Sequence, residues 1–218
     1  MNLKYILLSL LLSTSSNASA VLMKFNFSGA FDKITYSDCQ SYRASGSCDS
    51  WIHSKPDSSD FYQGSEFSIG DSFKGNFQYE TNSSYSLSSD GFQAVHLRAV
   101  TEHVFSIEEN SFPSALLPRS IIDGTLSIVD NRTNILNLGG HDMFSVSQWY
   151  SGVDWFMTTS IFLHDNSGSV YNSFDIPTTF DPNDFNLMSF NVGFIRRSDG
   201  DQLRLEGNIT NISVQPVP

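Results

Sequence analysis

Bulky apolar residues recur at every second position in two stretches of this chain: Met23, Phe25 and Phe27, then Phe73, Phe77 and Tyr79 around Gly75. A period of two sets these side chains on one face of an extended strand and leaves Lys24, Asn26 and Ser28 on the other. A helix would scatter the same residues around its circumference. The chain must therefore build half-buried strands whose aromatic faces need cover from another sheet. Phe92 to Val100, His103 to Ile107, Ile121 to Val129, Met143 to Trp149, Trp155 to Leu163, Val170 to Phe174, Phe185 to Ile195 and Leu203 to Val214 read as further strands. Turn signals at Asp130-Asn131-Arg132-Thr133, His164 to Gly168 and Arg196 to Asp201 separate some of them. Only 16% of residues are charged and 18 are Phe, which suits pleated, half-buried surfaces rather than exposed helices. The expected fold is all-β, an antiparallel β-sandwich or jelly-roll-like domain of about ten to twelve short strands with little helix. One helical turn is expected near Pro182, and an irregular excursion from Tyr36 to Gln63.

The first twenty residues do not belong to this pattern. Lys4 is followed by an apolar run from Tyr5 to Leu12, then by small polar residues ending Ala18-Ser19-Ala20. That order is a charged region, a hydrophobic core and an A-x-A-like cleavage site of a secretory signal peptide. The apolar run is too short to span a bilayer, which needs about 20 residues. Cleavage between Ala20 and Val21 is expected, leaving one β domain over 21–214 and a Pro-rich tail over 215–218. The product is expected outside the cytoplasm, secreted or periplasmic, with no membrane span. Two cysteines in an oxidising compartment, Cys39 and Cys48, suggest a disulfide; two free thiols or a metal pair are the alternatives. The formal charge is −11, and loss of Lys4 makes it −12. Such a surface repels phosphate backbones, so nucleic acid is not an expected partner.

The strand openings have a further character. Phe25-Asn26-Phe27-Ser28-Gly29 follows the export segment. Ile69-Gly70-Asp71-Ser72-Phe73-Lys74-Gly75-Asn76-Phe77-Gln78-Tyr79 has the form G-D-x-h-x-G-x-h-x-Y. Leu163 to Gly168, Ile176-Pro177 and Phe185 follow, and the chain closes on Gly207 to Ser213 and Pro216-Val217-Pro218. In these elements the chain resembles the ectodomain of bacterial PEP-CTERM or VPxPA-CTERM sorting-signal proteins. The family's Pro-rich motif is normally followed by a membrane helix and a basic tail, which do not follow here. The resemblance implies a bacterial host, a surface or released location near exopolysaccharide, and no assigned activity.

No catalytic constellation stands out. Gly70-Asp71-Ser72-Phe73 is similar to the nucleophile block of GDSL-type esterases, but those also need a D-x-x-H pair, which is missing. The Glu residues (Glu66, Glu80, Glu102, Glu108, Glu109, Glu206) form no alternating acid row of the kind a jelly-roll glycosidase carries. His53, His96, His103, His141 and His164 show no local metal-binding spacing. The Asp-rich turns at Asp165, Asp181 and Asp199 gather oxygen atoms of the kind that calcium uses, although Asx turns explain them without a metal. Trp51, Trp149 and Tyr150 are the residues able to stack on sugar rings. The expectation is a non-enzymatic exported surface or matrix protein, with extracellular polysaccharide or cell-surface components as partners. The alternative is a secreted hydrolase of glycans or esters with a convergent carboxylate or Ser–His site.

Overall fold

The strand that begins at Leu22 continues well past the expected one, although its strict alternation ends at Phe27 and register shifts follow between Ser28 and Gly29 and between Phe31 and Lys33. The structure is a computed structural model and describes residues 20–43, 46–62, 65–112, 121–133 and 140–218. In it β1 runs Leu22–Cys39, followed by β2 (Trp51–Ser54), β3 (Ser58–Tyr62), β4 (Ser65–Ser68), β5 (Ser72–Glu80), β6 (Ser86–Leu87) and β7 (Gln93–Leu97). Then come β8 (Val100–Ile107), β9 (Asn110–Phe112), β10 (Ile121–Thr133), β11 (Gly140–Ser151), β12 (Trp155–Asp165), β13 (Leu187–Arg196) and β14 (Gln202–Pro216). The helical content among the described residues is a single 3-10 turn, Pro182–Asp184, where Asp181 accepts a hydrogen bond from the Asn183 amide. The expected signal peptide lies, as far as Ser19, outside the described residues, and β1 begins two residues beyond Ala20.

Twelve strands form one antiparallel sheet in the order β6-β7-β10-β11-β12-β13-β14-β1-β5-β8-β9, with β2 attached to β1. Five consecutive strands, β10 to β14, meander, and β14 then pairs with β1 along most of its length. The start of β1 and the end of β14 therefore meet, with Met23 opposite Pro216 and the Val217 amide donating to the Leu22 carbonyl at 2.8 Å. The sheet folds over so that β1, β5 and β8 face β11 and β13 as a sandwich. Phe25 and Phe77 stack on Phe144, and Phe27 and Phe105 pack on Phe190. A small second sheet, β3 with β4, covers one end with Tyr62 and Phe67, both stacked on Phe194.

The packing tolerates large rings because small residues receive them. A β-carbon at Gly75 would lie 2.5 Å from Cζ of Phe27 and 2.8 Å from the Val104 carbonyl oxygen. The expected face of Phe73, Gly75, Phe77 and Tyr79 is therefore correct, with glycine as the seat for a ring from the next strand.

Four expectations need correction. Val170 to Phe174 is not a strand: the Tyr171 amide donates to Asp142 Oδ2 at 2.7 Å instead of entering a ladder. Asp130 to Thr133 is not a tight turn, since β10 continues to Thr133 through a register shift between Val129 and Arg132. The excursion from Tyr36 to Gln63 holds the end of β1 and all of β2 and β3. Residues 215 and 216 of the expected tail are the last of β14.

Cys39 and Cys48 are bonded. Cys39 ends β1, opposite Trp51, so the bridge closes a short loop at the sheet margin. The same margin is held by Asp201, which accepts from the Cys39 amide, the Tyr36 hydroxyl and Arg196 Nη2 at 2.9, 2.5 and 2.7 Å. Closing a loop with a sequence separation of 9 restricts the unfolded chain by about 2–3 kcal/mol. A Cys39→Ala/Cys48→Ala double variant is expected to lose that amount in urea unfolding at constant slope. An unchanged midpoint would show that the bridge adds nothing beyond the Asp201 contacts.

Candidate functional site

In β11 to β14 and β1, alternate side chains point outward, and pairing register sets them in rows across the sheet. One row runs Trp149, Thr158, Gly193, Arg204, Thr35. The neighbouring row runs Ser147, Ser160, Asn191, Glu206, Lys33. Adjacent strands lie about 4.8 Å apart, so each row is a ladder of polar groups at a regular spacing. Ser147 Oγ lies 3.1 Å from Ser160 Oγ. Lys33 Nζ donates to Glu206 Oε1 at 2.9 Å, and Arg204 Nε lies 3.2 Å from the same oxygen.

Gly193 shapes this face. A β-carbon there would lie 2.7 Å from Thr158 Oγ1, so the glycine leaves a dip where a side chain would stand. The hollow has a volume of about 230 Å³ and is edged by Thr158, Ser160, Asn191, Gln202 and Arg204. Trp149, half-buried, is the register partner of Thr158 at its border. Two hydroxyls, two amides and a guanidinium thus edge one shallow groove whose lining also holds the outward Phe162 and Ile195, with Trp149 next to it on β11. This donor and acceptor set suits sugar hydroxyls, and Phe162 and Trp149 are the apolar rings available for stacking.

A larger hollow of about 500 Å³ lies over β1, β5, β8 and β9, between Asn26, Lys74, Asn76, Val104, Ser106 and Ser111. Its aromatic neighbours Phe27, Phe105 and Phe112 are buried in the core, so no aromatic platform faces outward there.

No known family model, curated protein or solved structure matches this chain.

The residues singled out from the sequence part company in the fold. Trp149 borders the groove, whereas Tyr150, next along β11, points inward and is 4% exposed. Its hydroxyl donates to Gln148 Oε1 at 2.7 Å, so Tyr150 is unavailable for stacking on a sugar. Trp51 lies on β2, stacked on His53 at 6.5 Å, away from the groove rows. The groove's other members, Asn191, Gly193, Gln202 and Arg204, carry no local motif. Only strand pairing assembles them, and no single stretch of sequence could have shown it.

Each Asp-rich turn closes on itself. Asp165 accepts from the amides of Ser167 and Ser169 at 2.8 and 3.0 Å, and Asp199 from the Asp201 amide and Arg196 Nε. Among the described residues, no three His, Cys, Asp or Glu side chains cluster to hold a metal. Ser72, the GDSL-like serine, uses its amide to bond Glu108 Oε1 at 2.5 Å. Asp71 accepts from the Ser68 amide at 2.7 Å, so this block is the turn into β5.

His96 is buried between the carbonyl oxygens of Ser83 and Phe174, each 3.0 Å away. His103 is buried between the sheets, with Nδ1 3.2 Å from Thr159 Oγ1. Burial pushes its pKa down to about 4. His53 Nδ1 lies 2.8 Å from Ser37 Oγ. These two residues are direct cross-strand partners on β1 and β2, and side-chain bonding between such partners is ordinary. No carboxylate hydrogen-bonds the His53 ring among the described residues, so the pair lacks the orienting acid of a triad.

Proposed function

We propose that this protein is an exported, non-enzymatic β-sandwich of the bacterial surface or extracellular matrix that binds polysaccharide along the outer face of β11 to β14. The observation that carries the reading is the Trp149–Thr158–Gly193–Arg204 row, with Ser160, Asn191 and Gln202 beside it. A glycan strand lying across the strands meets a hydroxyl, amide or guanidinium on each successive strand, and one ring rests on Trp149. The signal-peptide order of residues 1–20 and the Cys39–Cys48 bond support an oxidising, exported setting. No described helix is long and apolar enough to cross a membrane.

The Ser37–His53 contact favours a second reading, a secreted hydrolase. It is the weaker one, because neither hollow described above includes Ser37 or His53.

Screening the purified protein against polysaccharide and oligosaccharide arrays tests both readings. Binding is expected, and Trp149→Ala is expected to weaken it about tenfold, the loss of one stacked ring. Asn191→Ala should weaken it less, and Trp51→Ala should leave it unchanged. Indifference to every glycan overturns the binding proposal. Turnover of a glycan or ester that Ser37→Ala abolishes establishes the hydrolase instead.

A further inference from the structure

The outer face of β11 and β12 carries a second arrangement near the Asp165 end of the hairpin. His141 on β11 and His164 on β12 have ring centroids 5.0 Å apart at 71°. Met143 is the register partner of His164 and stands on the same face as His141. All three are half-buried, reachable yet restrained by the sheet. No hydrogen bond engages either imidazole among the described residues, and so both rings have nitrogen lone pairs to offer.

We propose that His141, His164 and Met143 form a surface site for a copper ion. Metal–nitrogen bonds of about 2.1 Å place two coordinated imidazole centroids about 5 Å apart at a near-tetrahedral angle, which is the observed spacing. Imidazole suits copper, nickel and zinc, and among divalent ions of this series copper binds most tightly. The thioether of Met143 is a soft donor that selects Cu(I) and discriminates against zinc. The sheet fixes the backbone positions of all three residues in advance, and the two rings already lie at a bridging distance.

The charges around the site are mixed, for Arg132 on β10 is the register partner of His141. Asp142 and Asp165, the next residues along each strand, are buried on the inner side, and the charge of Asp165 acts on His164.

The site does not depend on glycan binding. It lies on the same sheet face as the Trp149 groove but shares no residue with it, so either can fail alone. The test uses untagged protein titrated with Cu²⁺, and separately with Cu⁺ against a chromophoric competitor. One copper per chain with micromolar or tighter affinity is expected, with nitrogen hyperfine coupling from two imidazoles in the Cu²⁺ spin-resonance spectrum. His141→Asn and His164→Asn are each expected to weaken Cu²⁺ binding at least about tenfold. Met143→Leu should weaken Cu⁺ more than Cu²⁺. His53→Asn, a histidine outside the site, should change neither. Absence of saturable binding, binding that survives both histidine substitutions, or tighter binding of Zn²⁺ than Cu²⁺ overturns the proposal.

Discussion

Phe190→Ala is expected to lower the free energy of unfolding by about 3–5 kcal/mol, the range for removing a buried aromatic ring from a packed interior. Phe190 stands on β13 and is fully buried. Its ring lies 5.0 Å from those of Phe27 and Phe73, 5.3 Å from Phe105 and 6.2 Å from Phe31. It therefore joins β1, β5 and β8 to β13 across the sandwich. These neighbours cannot collapse into the void, because Phe27 is already seated against Gly75 and Phe73 against Gly207. Most of the cavity cost should therefore remain, placing the loss at the upper end of the range. Phe190→Leu keeps much of the volume and should cost clearly less. Urea unfolding of both variants checks the ordering. A loss below about 1 kcal/mol for the alanine variant would show that the two layers are not coupled through this ring.

The rings that meet at Phe190 also mark how far the sequence was legible. The inward faces of β5 and of β1 as far as Phe27 follow from alternation alone. By contrast, β12 alternates in burial from Trp155 to Asp165 with Thr159 and Asp165 inward and Phe156 and Phe162 outward, which its apolar run does not reveal. Alternation names a face but not the neighbour across it. Nothing local places Gly193 between Thr158 and Arg204, or His141 beside His164, because each pairing depends on the register of separate strands. Tyr150 shows the same limit in reverse. The Trp149-Tyr150 pair looked like one aromatic patch, yet consecutive strand residues face opposite ways, so only Trp149 is outward. The segment from Val170 to Phe174 misled for another reason. Its apolar residues are real core contributors, but its backbone bonds to Asp142, a side chain no periodicity can reveal. The margin where Cys39 lies was better marked, since two cysteines behind a signal-peptide-like segment point to a bond whatever the fold around them.

Acid is expected to remove about 3 kcal/mol of stability between pH 6.5 and pH 4 through one residue, His103. Its folded pKa is pushed down from 6.5 to about 4, first by burial; the nearby Gln148 side chain opposes the shift. As pH falls through 6.5 the unfolded chain gains a proton on this ring that the folded chain refuses. The unfolded state then binds more protons, so stability falls with pH across that window and is unaffected above it. The geometry explains why the proton is refused. Nδ1 meets Thr159 Oγ1 at 3.2 Å, while Nε2 and the Gln148 amide nitrogen are buried without a hydrogen-bond partner. Two aromatic neighbours, Phe27 and Phe77, lie 6.2 and 6.3 Å away, and Tyr150 closes the other side with its hydroxyl 3.3 Å from the His103 carbonyl oxygen. A charged ring would stand there with no counter-ion. Asp165 and Asp199 have pKa values below 3.8 in the fold. Their contributions are present above the unfolded carboxylate pKa and fade only as pH drops below it, so the two effects occupy different windows. Urea midpoints measured from pH 7.5 to 4 should fall steeply for the wild type. His103→Asn keeps a polar group near Thr159 but carries no titrating ring, so its midpoint should fall much less over the same interval, with His164, whose pKa is also lowered, leaving a residual slope. A wild-type midpoint that is flat from pH 6.5 to 4 would mean that water reaches Nε2 and the ring ionises freely within the fold.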